Sequence, residues 1–200
     1  MAKKLLAFVF ALAVFIVPEL PGPQKRIYLA NDDHTDYMWT ADVAAFREAF
    51  LAMLDYYLDL ADSTAGKAED FRSRFNPDGT FWIREYEQNR TTGQFERLVE
   101  RIKDGSIGVP ITLLNLSYGA MPAEAVLRSM YYAGRLERRY GIDFTLAAAQ
   151  ENQTLPFGVG TLWAGAGASY FWKGICGCAT RNPDAWDRPH DMYWWTGLDG

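Results

Sequence analysis

Histidine and cysteine are scarce in this chain of 200 residues, with two of each. His34 and His190 are too few for a zinc site of three histidines. Cys176-Gly177-Cys178 is too tightly spaced for an easy disulfide in extended backbone, and no second pair accompanies it, so it reads as small, semi-buried packing. His190 reads equally as loop structure or as a pocket residue. Blocks of Lys or Arg are absent and the net charge is −5, which leaves no electrostatic footprint for nucleic acid. There is no Gly-rich phosphate loop and no Gly-x-Ser-x-Gly elbow, so phosphoryl transfer and serine-hydrolase chemistry have no support. Internal repeats and low-complexity linkers are also missing.

What the chain does have is apolar and aromatic. Hydrophobic residues make up 49% and aromatics 15%, enough for one globular domain with a substantial core. Seven Trp, eleven Tyr and twelve Phe fill cores by default, and their flat faces also stack on sugar rings. Lys3-Lys4, the apolar run Leu5 to Val17, and Pro18 followed by a polar stretch have the form of a secretory signal peptide over residues 1–23. The run is shorter than the roughly 20 residues of a membrane span, and no later segment is apolar enough. A secreted or periplasmic domain over residues 24–200, with no stable membrane insertion after cleavage, is the expectation.

The periodicities give an alternation. A strand is predicted at Ile27-Tyr28-Leu29-Ala30, and a helix over Asp42 to Leu60 from Val43, Phe46, Phe50, Leu54 and Leu58. After the turn Asn76-Pro77-Asp78-Gly79, the β-branched and aromatic run from Thr80 to about Tyr86 predicts a second strand. A helix over Gly93 to Lys103 follows, then a strand from Ile107 to Leu116. Pro122 opens a helix through Tyr140 with Gly141 as its cap, and Phe144 to Ala149 forms a fourth strand. A short helix over Val159 to Ala166, a strand from Ser169 to Ile175 and a last strand at Tyr193-Trp194-Trp195 complete the pass. Strand and helix alternating about every 30 residues argue for an α/β fold, a parallel β/α barrel; about five or six strands are present where a full barrel has seven or eight.

In such folds the chemistry collects just past the strands' carboxyl ends. There the first strand delivers Asn31-Asp32-Asp33-His34-Thr35-Asp36, then Trp39. Spaced i, i+2 on extended backbone, His34 and Asp36 point to the same side, where an imidazole and a carboxylate can reach one cation. The alternative is a polar loop that caps the next helix through Thr40 or Asp42. The fourth strand ends in a second polar cluster, Gln150-Glu151-Asn152-Gln153. Asp32, Asp33 and Glu151 are the candidates to join His34 and Asp36 as metal ligands.

Asp32-Asp33-His34-Thr35-Asp36-Tyr37-Met38-Trp39 resembles the first-strand motif of family 38 glycoside hydrolases, the α-mannosidases, which reads His-Ser-His-Asn-Asp-Pro-Gly-Trp. The resemblance continues through Pro110-Ile111-Thr112 to Leu116, Arg128-Ser129-Met130-Tyr131-Tyr132-Ala133 and Leu155-Pro156-Phe157-Gly158, and so covers residues 26 to 175. It implies a seven-stranded-type barrel of which this chain holds the amino-terminal part, one zinc ion, and a carbohydrate substrate. It further implies metal ligation by His34, Asp36 and Glu151, and a wall of the sugar subsite at Trp39. Asp33, Asn115 and Asn152 are the further expected substrate contacts. Glu151 stands where the family has an Asp that is both ligand and nucleophile, so Glu151 is the expected nucleophile of a retaining glycosidase. The family's fourth ligand, a His, and its acid/base carboxylate come from later sequence. Two other readings accompany this one. A polysaccharide-deacetylase-like metal hydrolase would use Asp32-Asp33 near His34, and a carbohydrate-binding remnant without catalysis would use the aromatics.

Overall fold

The computed structural model describes residues 27, 29–33, 37, 39–150, 155–173 and 192–200. Residues 1–23, where a signal peptide is expected, the Cys176-Cys178 pair and His190 lie outside these, as do His34, Asp36, Glu151 and Asn152.

Helix α1, Val43–Thr64, is capped by Asp42, whose side chain accepts the Ala45 N–H at 2.8 Å. Its buried stripe is Phe50, Leu51, Leu54, Leu58 and Ala61, the i, i+4 spacing of one helical face. That face meets α2, Thr80–Asn89, where Trp82, Ile83 and Tyr86 are buried. Phe50 stacks on Trp82 with ring centroids 3.7 Å apart and planes 7° from parallel. Helix α3, Thr92–Lys103, opens with a reciprocal capping box between Thr91 and Gln94 and adds Phe95, Leu98 and Val99 to the core. Helices α4, Ala123–Ser129, and α5, Tyr131–Tyr140, follow, and α5 ends on Gly141 at φ 65°, the left-handed conformation that glycine adopts without penalty. Strand β1, Leu146–Ala148, helix α6, Val159–Gly165, and strand β2, Tyr170–Trp172, close the order.

The backbone pairing follows the sequence. Asp32 bridges Asn76 in parallel, and Asn76 N–H donates to the Asn31 carbonyl at 3.1 Å. Phe75 bridges Ile107 in parallel, through Phe75 N–H to Ser106 O at 3.0 Å and Gly108 N–H to Phe75 O at 2.8 Å. Ile111 N–H donates to Leu146 O at 2.7 Å, and β1 pairs with β2 in parallel, Leu146 opposite Tyr170. Five extended segments thus stand side by side in chain order, with helices in each connection. Only the last two form regular strands among the described residues.

Four expectations are corrected. Thr80 to Tyr86 is helical, not a strand. Its aromatic and β-branched residues lie at Trp82, Ile83 and Tyr86, one face of a helix, and burial against α1 outweighs their strand preference. The helix predicted from Pro122 to Tyr140 is two helices that break at Met130, where Ser129 bonds back to the Val126 carbonyl at 2.6 Å and competes with the backbone ladder. The Ile107 to Leu116 stretch is extended only at its start and bends from residue 111 to 115. Residues 193–195 are irregular, and Trp195 packs edge-on to Trp163 and Phe171 at centroid distances of 6.2 and 5.1 Å instead of joining a ladder. No helix among the described residues is long and apolar enough to cross a membrane.

Candidate functional site

Because the paired segments are parallel, their carboxyl ends share one edge. The first presents Asp32 and Asp33 there, the second Asn76 to Asp78, the third Thr112 to Asn115, and the fourth Gln150. The first and fourth ends meet directly: the Gln150 side-chain amide donates to the Asp32 carboxylate at 2.6 Å, across 118 residues of chain. This contact joins the two polar clusters that sequence pattern marked separately.

Asp33 is buried, and its carboxylate accepts the Asp78 N–H at 2.8 Å, tying the first segment's end to the turn before α2. The α2 amino terminus is seated in turn on the third segment. Thr80 N–H and Phe81 N–H donate to the carbonyls of Thr112 and Leu113 at 3.0 and 2.9 Å, which satisfies donors that a helix start otherwise leaves open. The approach is close enough that a Cβ on Gly79 would lie 2.2 Å from the Leu113 carbonyl oxygen. A Cβ on Gly108 would lie 2.4 Å from the Asn76 side-chain oxygen, so the third segment meets backbone at Gly79 and the Asn76 side chain at Gly108.

Between the acidic stretch and α1, Tyr37 sits among Phe46, Phe81 and Trp82 at centroid distances of 5.8, 5.5 and 5.6 Å. It pins the loop to α1 and α2. Trp39 is 84% exposed, so its indole face is open to a ligand, and Asn115 is exposed in the bend after the third segment. Asp42, one of the two residues of the capping alternative, does cap α1.

His34, Asp36, Glu151 and Asn152 lie outside the described residues, and within those residues no group of three His, Cys, Asp or Glu could hold a metal. The hydrogen bond to Gln150 joins Asp32 to the fourth segment, while Trp39 lies exposed in the loop before α1 and Asn115 in the bend after the third segment. Gln150 and Tyr37 were not singled out by sequence. Gln150 carried a signal in its position beside Glu151 at a strand end, whereas Tyr37 carried none.

The perturbed ionisable groups are elsewhere. Burial opposes the charged form of Asp55, but hydrogen bonds from Arg90 and Tyr86 and the Arg90 charge hold its carboxyl below the ordinary value. Burial, reinforced by Asp55, pushes the Tyr86 phenol well above its usual range. Burial likewise raises Tyr118, and burial with the Glu87 charge raises Tyr132. All four belong to helix packing or the core and not to the edge.

No protein-family model matches the chain, and neither does any curated protein sequence. Among solved structures, an alpha-mannosidase from Enterococcus faecalis V583 matches 72% of this chain with a TM-score of 0.60 at 16% identity. A protein in the glycosyl hydrolase family 38 from Enterococcus faecalis matches 63% with a TM-score of 0.47 at 15% identity. This chain spans 16% and 17% of the lengths of those two proteins. The first likeness establishes a fold shared with part of an α-mannosidase.

Proposed function

We propose that this chain is the amino-terminal part of the catalytic β/α barrel of an exported, zinc-dependent retaining glycosidase of the α-mannosidase type, acting on mannosides or related glycans. The observation that carries the reading is the Gln150 to Asp32 hydrogen bond. It brings the end of the fourth segment to the acidic end of the first, and Glu151 is the next residue after Gln150 while His34 and Asp36 follow Asp32 by two and four positions. The sequential parallel order of the five segments and the fold shared with an α-mannosidase also support it.

In this reading His34, Asp36 and Glu151 would hold the metal, a set of one imidazole and two carboxylates whose chemistry suits zinc. When bound, zinc would hold the sugar's vicinal hydroxyls. Glu151 would attack the anomeric carbon as the bond to the aglycone oxygen breaks, the aglycone departing with a proton from a carboxylic acid, and water would then cleave the glycosyl ester, freeing Glu151 and releasing the sugar with net retention. Trp39 would offer its open face to the sugar ring, as aromatic walls do for the apolar side of pyranoses. Asp33, Asn115 and Asn152 would contact the substrate. Asp33 already accepts the Asp78 N–H, so it would act with its position fixed by the fold.

The test is zinc content and turnover of an aryl α-mannoside by the complete gene product, with Glu151→Gln and His34→Ala beside it. Loss of turnover by at least about 10³-fold in Glu151→Gln with zinc partly retained, and loss of zinc in His34→Ala, are the expected results. Unchanged turnover in Glu151→Gln removes Glu151 from the nucleophile role. The openness of Trp39 also favours a second reading, carbohydrate binding without catalysis. Glycan binding that survives chelation, with no turnover at any pH, distinguishes it.

A further inference from the structure

Between α2 and the α4–α5 pair lies an open groove of about 340 Å³ lined by Arg84, Leu113, Arg128, Tyr131, Tyr132 and Arg135. Of these residues only Leu113 belongs to the candidate-site edge, and none is a proposed metal, nucleophile or sugar-contact residue. The volume falls at the lower end of small-molecule sites, the size of a single sugar ring with one substituent.

The charges of the groove do not cancel. Arg128 pairs with Glu124 at 2.8 Å. Arg135 pairs with Glu87, whose carboxylate also accepts the Tyr132 hydroxyl at 2.9 Å and a guanidinium hydrogen bond from Arg139 at 3.3 Å. Arg84 is exposed, and no carboxylate among the described residues pairs with it. Three guanidinium groups, those of Arg128, Arg135 and the neighbouring Arg139, therefore share two carboxylates while Arg84 shares in neither, in a protein whose overall charge is −5. A guanidinium fork matches a carboxylate or phosphate edge with two parallel hydrogen bonds, and Arg84 has all its donors available.

The apolar lining is equally specific. The Arg135 guanidinium lies 4.7 Å from the Tyr132 ring centroid, which fixes both side chains by stacking. Tyr131 is 62% exposed and presents its ring at the groove, and Leu113 supplies an aliphatic surface beside it.

We propose that this groove binds a small ligand with an oxyanion, a phosphate or carboxylate, carried on a sugar-sized ring. Arg84, together with Arg128 and Arg135, takes the anion, and Tyr131 takes the ring face. A sugar phosphate and a sugar acid share this chemistry, and the experiment separates them. The inference does not depend on the glycosidase reading, since neither the metal residues nor Glu151 takes part.

Calorimetric titration of the full chain with glucose 6-phosphate, glucuronate and neutral glucose tests it. Saturable binding of either anion, or both, with none of glucose, is expected, and the tighter anion identifies the ligand class. Arg84→Ala should weaken that binding at least about tenfold, because a charge-assisted bidentate contact is lost. It breaks no ion pair of the fold, and an unchanged unfolding midpoint verifies this. Arg72→Ala, which removes one exposed positive charge elsewhere, should leave affinity within about twofold. Tyr131→Ala should weaken the ring-bearing anion about threefold to tenfold. No saturable binding, equal binding of glucose, an unchanged affinity in Arg84→Ala, or equal weakening in Arg72→Ala would each overturn the proposal.

Discussion

The carboxylate of Asp33 is buried and receives the Asp78 N–H, whereas that of Asp32 is held by the amide of Gln150 at an exposed contact. Adjacent acids therefore have different duties. Removing Asp33 leaves a partly buried backbone donor without its acceptor, so Asp33→Ala is expected to lower stability by about 1–3 kcal/mol in urea unfolding. Asp32→Ala should cost about 0.5–1 kcal/mol at most, its partner being free to turn to water. Equal losses in the two variants would contradict the assignment. Asp55 gives the pH dependence. Its carboxyl is held below its ordinary value by Arg90 and Tyr86 against the opposing effect of burial. A depressed carboxylate contributes stability above its unfolded pKa of about 3.9, and that contribution is lost as pH falls through the folded value. Asp55→Asn should thus melt at a lower temperature than wild type at pH 7, and the difference between the two melting curves should shrink as pH falls below the ordinary carboxylate range.

Helices α1 and α3 were legible because their apolar spacing is helical and their ends carry cap or stop residues. Helix α2 was not, since Thr80-Phe81-Trp82-Ile83 is locally a strand sequence and the residues that decide otherwise, Phe50 and the carbonyls of Thr112 and Leu113, are distant in the chain. Of the candidate site, the two polar strand-end clusters were legible, and the side chain that joins them was not. A hydrogen bond between residues 118 positions apart leaves no local trace. The α2 environment makes two predictions. Trp82→Ala should cost about 3–5 kcal/mol, because Trp82 is 1% exposed and stacked on Phe50, and the cavity would not close. Gly79→Ala should cost at least about 1–3 kcal/mol, since the 2.2 Å approach to the Leu113 carbonyl oxygen forces backbone apart and unseats the start of α2. A change below about 0.5 kcal/mol in either, by denaturant unfolding, would show that the packing yields more readily than the distances imply.

Across the whole molecule, α1 and α3 are laced by ions: Arg97 bridges Asp59 and Asp62 at 2.7 and 2.5 Å, and Arg101 reaches Asp62 at 3.0 Å and Asp104 at 2.5 Å. These pairs are partly solvent-exposed, so their joint contribution is small and screened by salt. The greater determinant is the order of the five extended segments, in which each pairs with the one before it. That order has a consequence for biosynthesis. A chain leaving the ribosome amino end first can add each segment to a surface already folded, without waiting for a distant partner, and loop closure stays short at every addition. The Gln150 to Asp32 bond is the exception, because it needs four segments in place before it can close. Stalled nascent chains ending before Gln150 should therefore protect α1, α2 and the Asp33 anchor from protease while the Asp32 carboxylate still lacks its cross-chain partner, which makes this contact of the candidate site the last of the four-segment edge to mature.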